Sequence, residues 1–360
     1  MNFYSKRFFT FAFALIITMN AGIAFAAEEH ATQAKEEKSF DIKEMIFHHV
    51  LDTYEWHILS VGEHHYSIPL PVIVHSADRG WNVFCSSKLA HGETYNGFYI
   101  SHGEKHNGKI VEKNAHGEEV RPFDISLTKN ALSILLASTL LVLIMLSVAR
   151  QYKKDPLRSM KGFGGAMEQL IVSIHDDIIK PSVGKDYKKF APYLLTVFFF
   201  IFINNLLGLI PIFPGGANVT GNIAVTLVLA LLTFFMTNVF AKKAYWKEIV
   251  WPDVPVFLKT PVFPLMQFIE FIGILTKPFA LMIRLFANML AGHMIVLVLM
   301  GLIFIFAVMM GVAAAIGVSV VSIAFSIFML LLDVLVSFIQ AYVFTMLSSI
   351  FIGMARAEHH

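Results

Sequence analysis

Three runs without Asp, Glu, Lys or Arg dominate the chain: Asn130–Ala149 (20 residues), Phe190–Ala241 (52 residues) and Leu285–Leu332 (48 residues). About 20 apolar residues suffice to cross about 30 Å of hydrocarbon as a helix. The first run therefore predicts one span, over about 127–149. The second is broken by Pro211–Gly216 and predicts two, over about 190–211 and 221–241. The third belongs to two elements, about 265–305 and 318–353, with the small, uncharged Gly311–Gly317 as their turn. Both exceed the length of an upright span, so they must tilt strongly or lie partly across the bilayer. Residues 162–181 differ. Phe163, Met167, Leu170, Ile171, Ile174 and Ile178 follow a helical period, but Glu168, His175, Asp176 and Asp177 lie among them. That pattern predicts an amphipathic helix on the membrane surface. Four prolines between Pro252 and Pro264 predict a kinked connection.

The N-terminal third has another character. Residues 1–27 read as a signal peptide: Lys6 and Arg7, an apolar core from Phe8 to Ile17, and Ala24-Phe25-Ala26 as a cleavage pattern. Residues 28–125 are polar. Short alternating runs at Tyr66–Val74 and Gly97–Ile100 predict a small β-rich exported module. Its start, Phe40–Leu59, has the pattern of an amphipathic helix. Charge then sets orientation. Arg150, Lys153, Lys154, Arg158 and Lys161 face only Asp155 in the loop after the first span, and Lys242, Lys243 and Lys247 follow the third. The excess of basic residues puts these loops in the cytoplasm. The module and the mature N-terminus are then periplasmic, and the C-terminus is cytoplasmic.

Composition agrees. With 56% hydrophobic and 15% charged residues and a mean hydropathy of +0.64, the chain reads as an all-α polytopic membrane protein occupying 126–360, preceded by the module. A net charge of +2 gives no reason to expect nucleic acid as a partner. Eleven of the fifteen histidines lie in 28–125, without metal-ligand spacing. The single cysteine, Cys85, reads as a small buried apolar residue or a free thiol. No cofactor or metal site is expected.

Polar residues within the last two elements are the candidate chemistry. Glu270, Lys277, Arg284, Asn288 and His293 lie on the first, Asp333 and Gln340 on the second. An arginine at mid-membrane costs about 3 kcal/mol on insertion scales, so it needs a partner or a task; anchoring by snorkelling is the plainer alternative. Arg284 and Asn288 lie about 40° apart around a helix and share a face, as do Asp333 and Gln340. In an antiparallel hairpin, Arg284 with Gln340 and His293 with Asp333 have midpoints at residues 312 and 313, inside the expected turn. A His–carboxylate pair titrates as a unit and can exchange protons near neutral pH, although a static hydrogen bond would look the same. Arg284 and His293 lie about 180° apart around the helix and act on different sides unless it bends. Asn204, Asn205, Asn222 and Thr226 sit inside the second and third spans, either as interhelical hydrogen-bonding groups or as the lining of a wet cavity.

These residues carry a resemblance. Arg284-Leu-Phe-Ala-Asn288-Met-Leu-Ala-Gly-His293, Glu270 fourteen residues before the arginine, Gln340-Ala-Tyr-Val-Phe-Thr-Met-Leu and Asn204-Asn205-Leu-Leu-Gly-Leu-Ile-Pro211 are similar to subunit a of the F-type ATP synthase membrane sector. The surface helix fits, as does His48-His49 near the start of the mature chain. The resemblance covers 125–360 well and 40–60 faintly. It implies a stator in the cell inner membrane, without a catalytic site of its own, that cups a ring of c subunits and meets b subunits of a peripheral stalk. By that match Arg284 faces the rotor carboxylate, Gln340 is its polar neighbour, and Asn288 is the asparagine one turn on. Many bacterial members carry Glu at His293 and His at Asp333; this chain has the mitochondrial order. Two positions depart from the family: Ala287 stands where Gly is usual, and Gly208 where Asp is frequent. The implied function is proton translocation through two half channels, with His293 and Asp333 on the inlet side, Glu270 toward the outlet and Arg284 between. A proton-coupled secondary transporter is the alternative reading; it would predict internal repeats, and charge placement shows none between 190–241 and 265–353.

Overall fold

The computed structural model describes residues 52–61, 64–101, 103, 106–114, 117–154, 161–210, 213, 215–250 and 265–357. The expected signal peptide, most of the expected Phe40–Leu59 helix and the Pro252–Pro264 connection lie outside these residues. The chain divides into two compact units.

One unit contains the N-terminal module up to Ser133, residues 211–217 and residues 293–331. The module is β-rich, as the alternating runs predict. Strands β1 (Glu55–Val61) and β2 (His64–Pro69) pair antiparallel. Strands β3 (Pro71–Ser76), β4 (Gly80–Cys85) and β8 (Phe123–Asp124) form a sheet in the order β4-β3-β8. Strands β5 (Phe98–Ile100), β6 (Ile110–Lys113) and β7 (Glu119–Val120) form another. Glu55–Val61 corrects part of the expected helix: cross-strand pairing with His64–Pro69 outweighs the weak helical pattern there. Alternation puts Val72, Val74 and Phe84 on one face, where they bury with Tyr54, Leu89, Phe98 and Ile110. Cys85 is a free thiol, half-buried rather than in this core.

Helix α1 (Lys129–Lys154) starts in the same unit. The first amides of a helix lack internal acceptors. Here Thr53 supplies a carbonyl to Lys129 N–H at 2.9 Å, and the Asp52 carboxylate accepts from Asn130 N–H at 3.0 Å. The Trp56 ring meets Phe213 edge-on at 5.2 Å.

The second unit contains residues 134–210, 218–292 and 332–360. Helix α2 (Phe163–Ser173) continues through a π-helical turn, Ile174–Ile179, into the short α3 (Lys180–Val183). Gly184, at φ 73°, then redirects the chain into α4 (Tyr187–Leu209). Helix α5 (Ile223–Val239) is capped by Asn222, whose side chain accepts from Ala224 N–H. Helix α6 (Lys243–Val250) follows. The long α7 (Leu265–Met310) and α8 (Val312–Arg356) complete the chain. Among the described residues, four stretches are long and apolar enough to cross a membrane, within 129–153, 163–209, 267–310 and 316–356; Ile223–Val239 is a shorter apolar helix. The turn between the last two helices is tighter than expected. It is Gly311 alone, at φ 84°, a left-handed conformation glycine adopts without strain, while 312–317 are already helical.

The core of this unit joins Ile174, Ile178, Ile179 and Val183 to Phe190, Leu194, Phe198 and Ile201 of α4, Leu229 of α5, Leu281 and Leu285 of α7, and Phe344 and Ile352 of α8. The C-terminal end of α8 is closely held. Arg356 donates to Asp186 and to the Phe240 carbonyl, and Lys242 N–H donates to the Ala355 carbonyl at 2.9 Å.

A Cβ added at Gly353 would lie 1.9 Å from the Ser182 carbonyl oxygen, which is backbone. Gly353→Ala should therefore lower stability by about 1–3 kcal/mol, as overpacking does, read as an earlier thermal midpoint in detergent; an unchanged midpoint would contradict this packing. In the module, hydrogen bonds from Ser101 and Tyr99 hold the half-buried Glu119 carboxyl below its ordinary value. A depressed folded pKa adds stability above the unfolded value, lost as pH falls through the folded one. The loss of thermal stability below about pH 4.3 should thus be smaller in Glu119→Gln; equal acid sensitivity of the two proteins would count against the tie.

Candidate functional site

Helix α7 presents two different faces around the arginine. Leu281, Met282, Leu285, Met289 and Gly292 are buried, while Ala280, Ile283, Arg284, Ala287, Asn288 and Ala291 are exposed. The spacing of the buried residues holds one side of the helix against the core, and the 40° offset leaves Arg284 and Asn288 together on the other. Arg284 makes no ion pair or hydrogen bond among the described residues. Its neighbours on the exposed stripe are mostly alanines, so the guanidinium stands above a low surface that another backbone could approach closely.

Gln340 is buried, at 7% exposure, and no hydrogen bond joins it to Arg284. Other contacts between the two helices run antiparallel. A Cβ added at Gly292 would meet the Asp333 carboxylate at 2.7 Å, and the Lys277 ammonium lies 5.6 Å from the centre of the Phe351 ring. Those pairs have midpoints near 312 and at 314, beside the Gly311 turn. Gly292 was not singled out by the sequence; its importance lies in the close approach of a side chain on α8. Asp333 is 8% exposed, and its Oδ2 is buried without a hydrogen-bond partner among the described residues. His293, the residue after Gly292, likewise has a buried Nε2 without one among the described residues. Glu270 is half-buried one helical stretch before Lys277.

The asparagines of the shorter helices have local tasks. Asn204 donates to the Phe200 carbonyl at 2.8 Å, Asn205 accepts from Thr220 at 2.6 Å, and Thr226 bonds carbonyls of its own helix. Asn204 Oδ1 and Asn205 Nδ2 remain buried without a partner among the described residues. This leaves a polar surplus inside α4 that self-satisfaction does not use up.

Hydroxyls form a seam that the sequence reading did not identify. Tyr193 of α4 meets Thr233 of α5 at 3.0 Å, and Thr233 meets Ser348 of α8 at 3.3 Å. Ser337, Thr345 and Ser349 are fully buried on α8. A small, partly open pocket lies beside the seam, lined by Thr233, Thr237, Asn238, Tyr245, Lys277 and Phe351 among others. The signal available in the sequence was the run of small hydroxyl residues at helical spacing on α8, which reads as ordinary packing until its partners are known. Among the described residues no three His, Cys, Asp or Glu side chains converge as metal ligands would.

Comparison with known proteins follows the same residues. The family described as ATP synthase A chain matches 131–353, a stretch that contains Glu270, Arg284, Asn288, His293, Asp333 and Gln340. A family described only as a domain of unknown function matches 45–129. The chain is 45% identical over 245 residues to an ATP synthase subunit a of Chloroherpeton thalassium, covering 67% of this chain and 69% of that one. It is 41% identical over 287 residues to an ATP synthase subunit a of Chlorobium phaeobacteroides, covering 75% and 81%. An ATP synthase subunit a of Myxococcus xanthus is 40% identical over 256 residues, covering 68% and 79%. A match through every long apolar helix, joined to this degree of identity, means that the chain belongs to the ATP synthase subunit a family and is a multi-pass membrane protein.

Proposed function

We propose that the chain is the proton-translocating stator of a rotary F-type ATP synthase. It forms two aqueous half channels to a c ring, and its mature N-terminus is periplasmic. The observation that carries this reading is the exposed stripe of α7. Arg284 and Asn288 stand outward among alanines at the edge of a 48-residue run without charge. A cation on an outward apolar face calls for an acidic partner on another chain, and a carboxylate in a passing rotor helix fits that need. At about 4 Å and an effective dielectric near 20, the attraction is about 4 kcal/mol. That corresponds to about 3 pKa units, enough to deprotonate the rotor carboxylate as it passes. The same fixed charge repels a proton moving straight across.

Protons enter beside His293 and Asp333 and leave past Glu270, with Gln340 lending a polar group near Arg284. Support for the inlet comes from the buried, unpartnered polar atoms of Asp333 and His293, since buried polar atoms are rarely left without a partner. The close approach of Asp333 to Gly292, the residue before His293, also supports it. The unpartnered Asn204 and Asn205 atoms supply further polar positions in the membrane domain. No step requires a cofactor, and b subunits of a peripheral stalk hold the stator still.

Arg284→Ala should abolish proton-coupled ATP synthesis in membrane vesicles while the complex still assembles; normal synthesis by an assembled Arg284→Ala complex would refute the assignment. Exchanging His293 and Asp333 together should restore more synthesis than either single replacement retains. Losses that simply add would show that the two groups act independently.

A further inference from the structure

The outer face of the β4-β3-β8 sheet departs from the pattern of a half-solvated sheet, whose exposed side is normally polar. On this face Trp81 is 60% exposed, Val83 71%, Phe123 64% and Ile125 54%. Pairing arranges them in two cross-strand rows. In the first, Trp81 of β4 stands opposite His75 of β3, which stands opposite Phe123 of β8; the His75 and Trp81 rings meet edge-on at 4.9 Å. In the second, Val83 stands opposite Ile73, and Ile125 donates its N–H to the Ile73 carbonyl at 3.0 Å. The opposite face already supplies the module's core through Val72, Val74 and Phe84. The outer rows are therefore surplus to folding, and a largely apolar face of this kind, interrupted by His75, marks an interaction surface.

The chain that leaves this sheet is short and fastened. Ile125 precedes Lys129, the first residue of α1, by four residues. Four residues reach at most about 14 Å when fully extended. The connection is hydrogen-bonded along its length: Ile73 N–H to Ser126 Oγ at 3.0 Å, Leu127 N–H to the Pro71 carbonyl at 3.1 Å, and Lys129 N–H to the Thr53 carbonyl at 2.9 Å. Since α1 is an apolar membrane helix that begins there, the sheet is held within reach of the headgroup layer, which is about 6 Å deep on each side of the hydrocarbon.

We infer that this face is a membrane-contact surface, with Trp81, Val83, Phe123 and Ile125 inserted at the headgroup–acyl boundary of the leaflet from which α1 enters. The chemistry suits that occupant. Tryptophan and other amphipathic rings favour the interface. Arg121, exposed and two residues before Phe123, offers a cation to anionic headgroups. The inference rests on the membrane helix α1 and is independent of the proton-path reading.

The test uses the full chain in its assembled complex, reconstituted into phosphatidylcholine–phosphatidylglycerol vesicles. In a Cys85→Ser background, Val83→Cys and, as a second reporter on the same face, Phe123→Cys carry an environment-sensitive fluorophore. Ser87→Cys, at an exposed position off this face, is the reference. Lipids spin-labelled near the top of the acyl chain should quench both face labels about threefold more than the reference, as an interfacial position requires. Equal, weak quenching at all three sites would overturn the inference, because the face would then be in water. Face labels shielded from aqueous iodide yet untouched by the spin-labelled lipid would also overturn it, because protein would then cover the face: the chain's own N-terminal residues, another subunit or a second copy.

Discussion

A positive charge without a partner among the described residues sets the terms for the membrane part of this protein. Arg284 is exposed on α7 and has no partner among the described residues, yet about 3 kcal/mol separates it from a comfortable place in hydrocarbon. What keeps it there is the other side of the helix. Leu281, Met282, Leu285 and Met289 are at most 5% exposed, and together they define which way α7 is turned. Rotating the helix to hide the arginine would expose that apolar stripe to no benefit and bury a charge with no acid to meet it. The alanines beside Arg284 then become intelligible, since they keep the outward surface low enough for a second helix to come close.

Inside the membrane domain, apolar burial alone gives little preference between helix and lipid, because both are apolar. Close approach and buried polar contacts therefore decide the packing. The Tyr193–Thr233–Ser348 seam ties α4, α5 and α8 together, each contact contributing about 0.6 kcal/mol on average. Gly353 lets the end of α8 lie against the Ser182 carbonyl, and Arg356 ties that end to Asp186 and to the carbonyl of Phe240. These contacts sit where the core residues of α4 and α8 meet, so the frame around the Arg284 stripe is fixed by several small terms rather than by one large one.

The N-terminal module obeys other physics. It has its own apolar core, and the backbone donors at the start of α1 are satisfied by Thr53 and Asp52 from within the module. The same joint that caps the helix anchors the sheet bearing Trp81 and Phe123, so one short connection serves both helix start and sheet position. Glu55–Val61 is a strand although the helical pattern of Phe40–Leu59 runs into it, because a weak helical period there cannot compete with a ladder of hydrogen bonds to a partner strand.

The sequence by itself determined the long apolar helices, the small break near residue 312, the common face of Arg284 and Asn288, and the strands around 66–74 and 97–100. Each follows from a local regularity: hydrophobic run length, the 3.6-residue period, or strand alternation. It did not determine that the turn is Gly311 alone, that Gly292 lies against Asp333, that Thr233 and Ser348 bond across 115 residues, or that the sheet's outer face is apolar in two aligned rows. Those features depend on which distant atoms come within a few ångströms of one another. Periodicity along one segment shows which side of a helix or strand is different, but only the packed structure decides what that side meets.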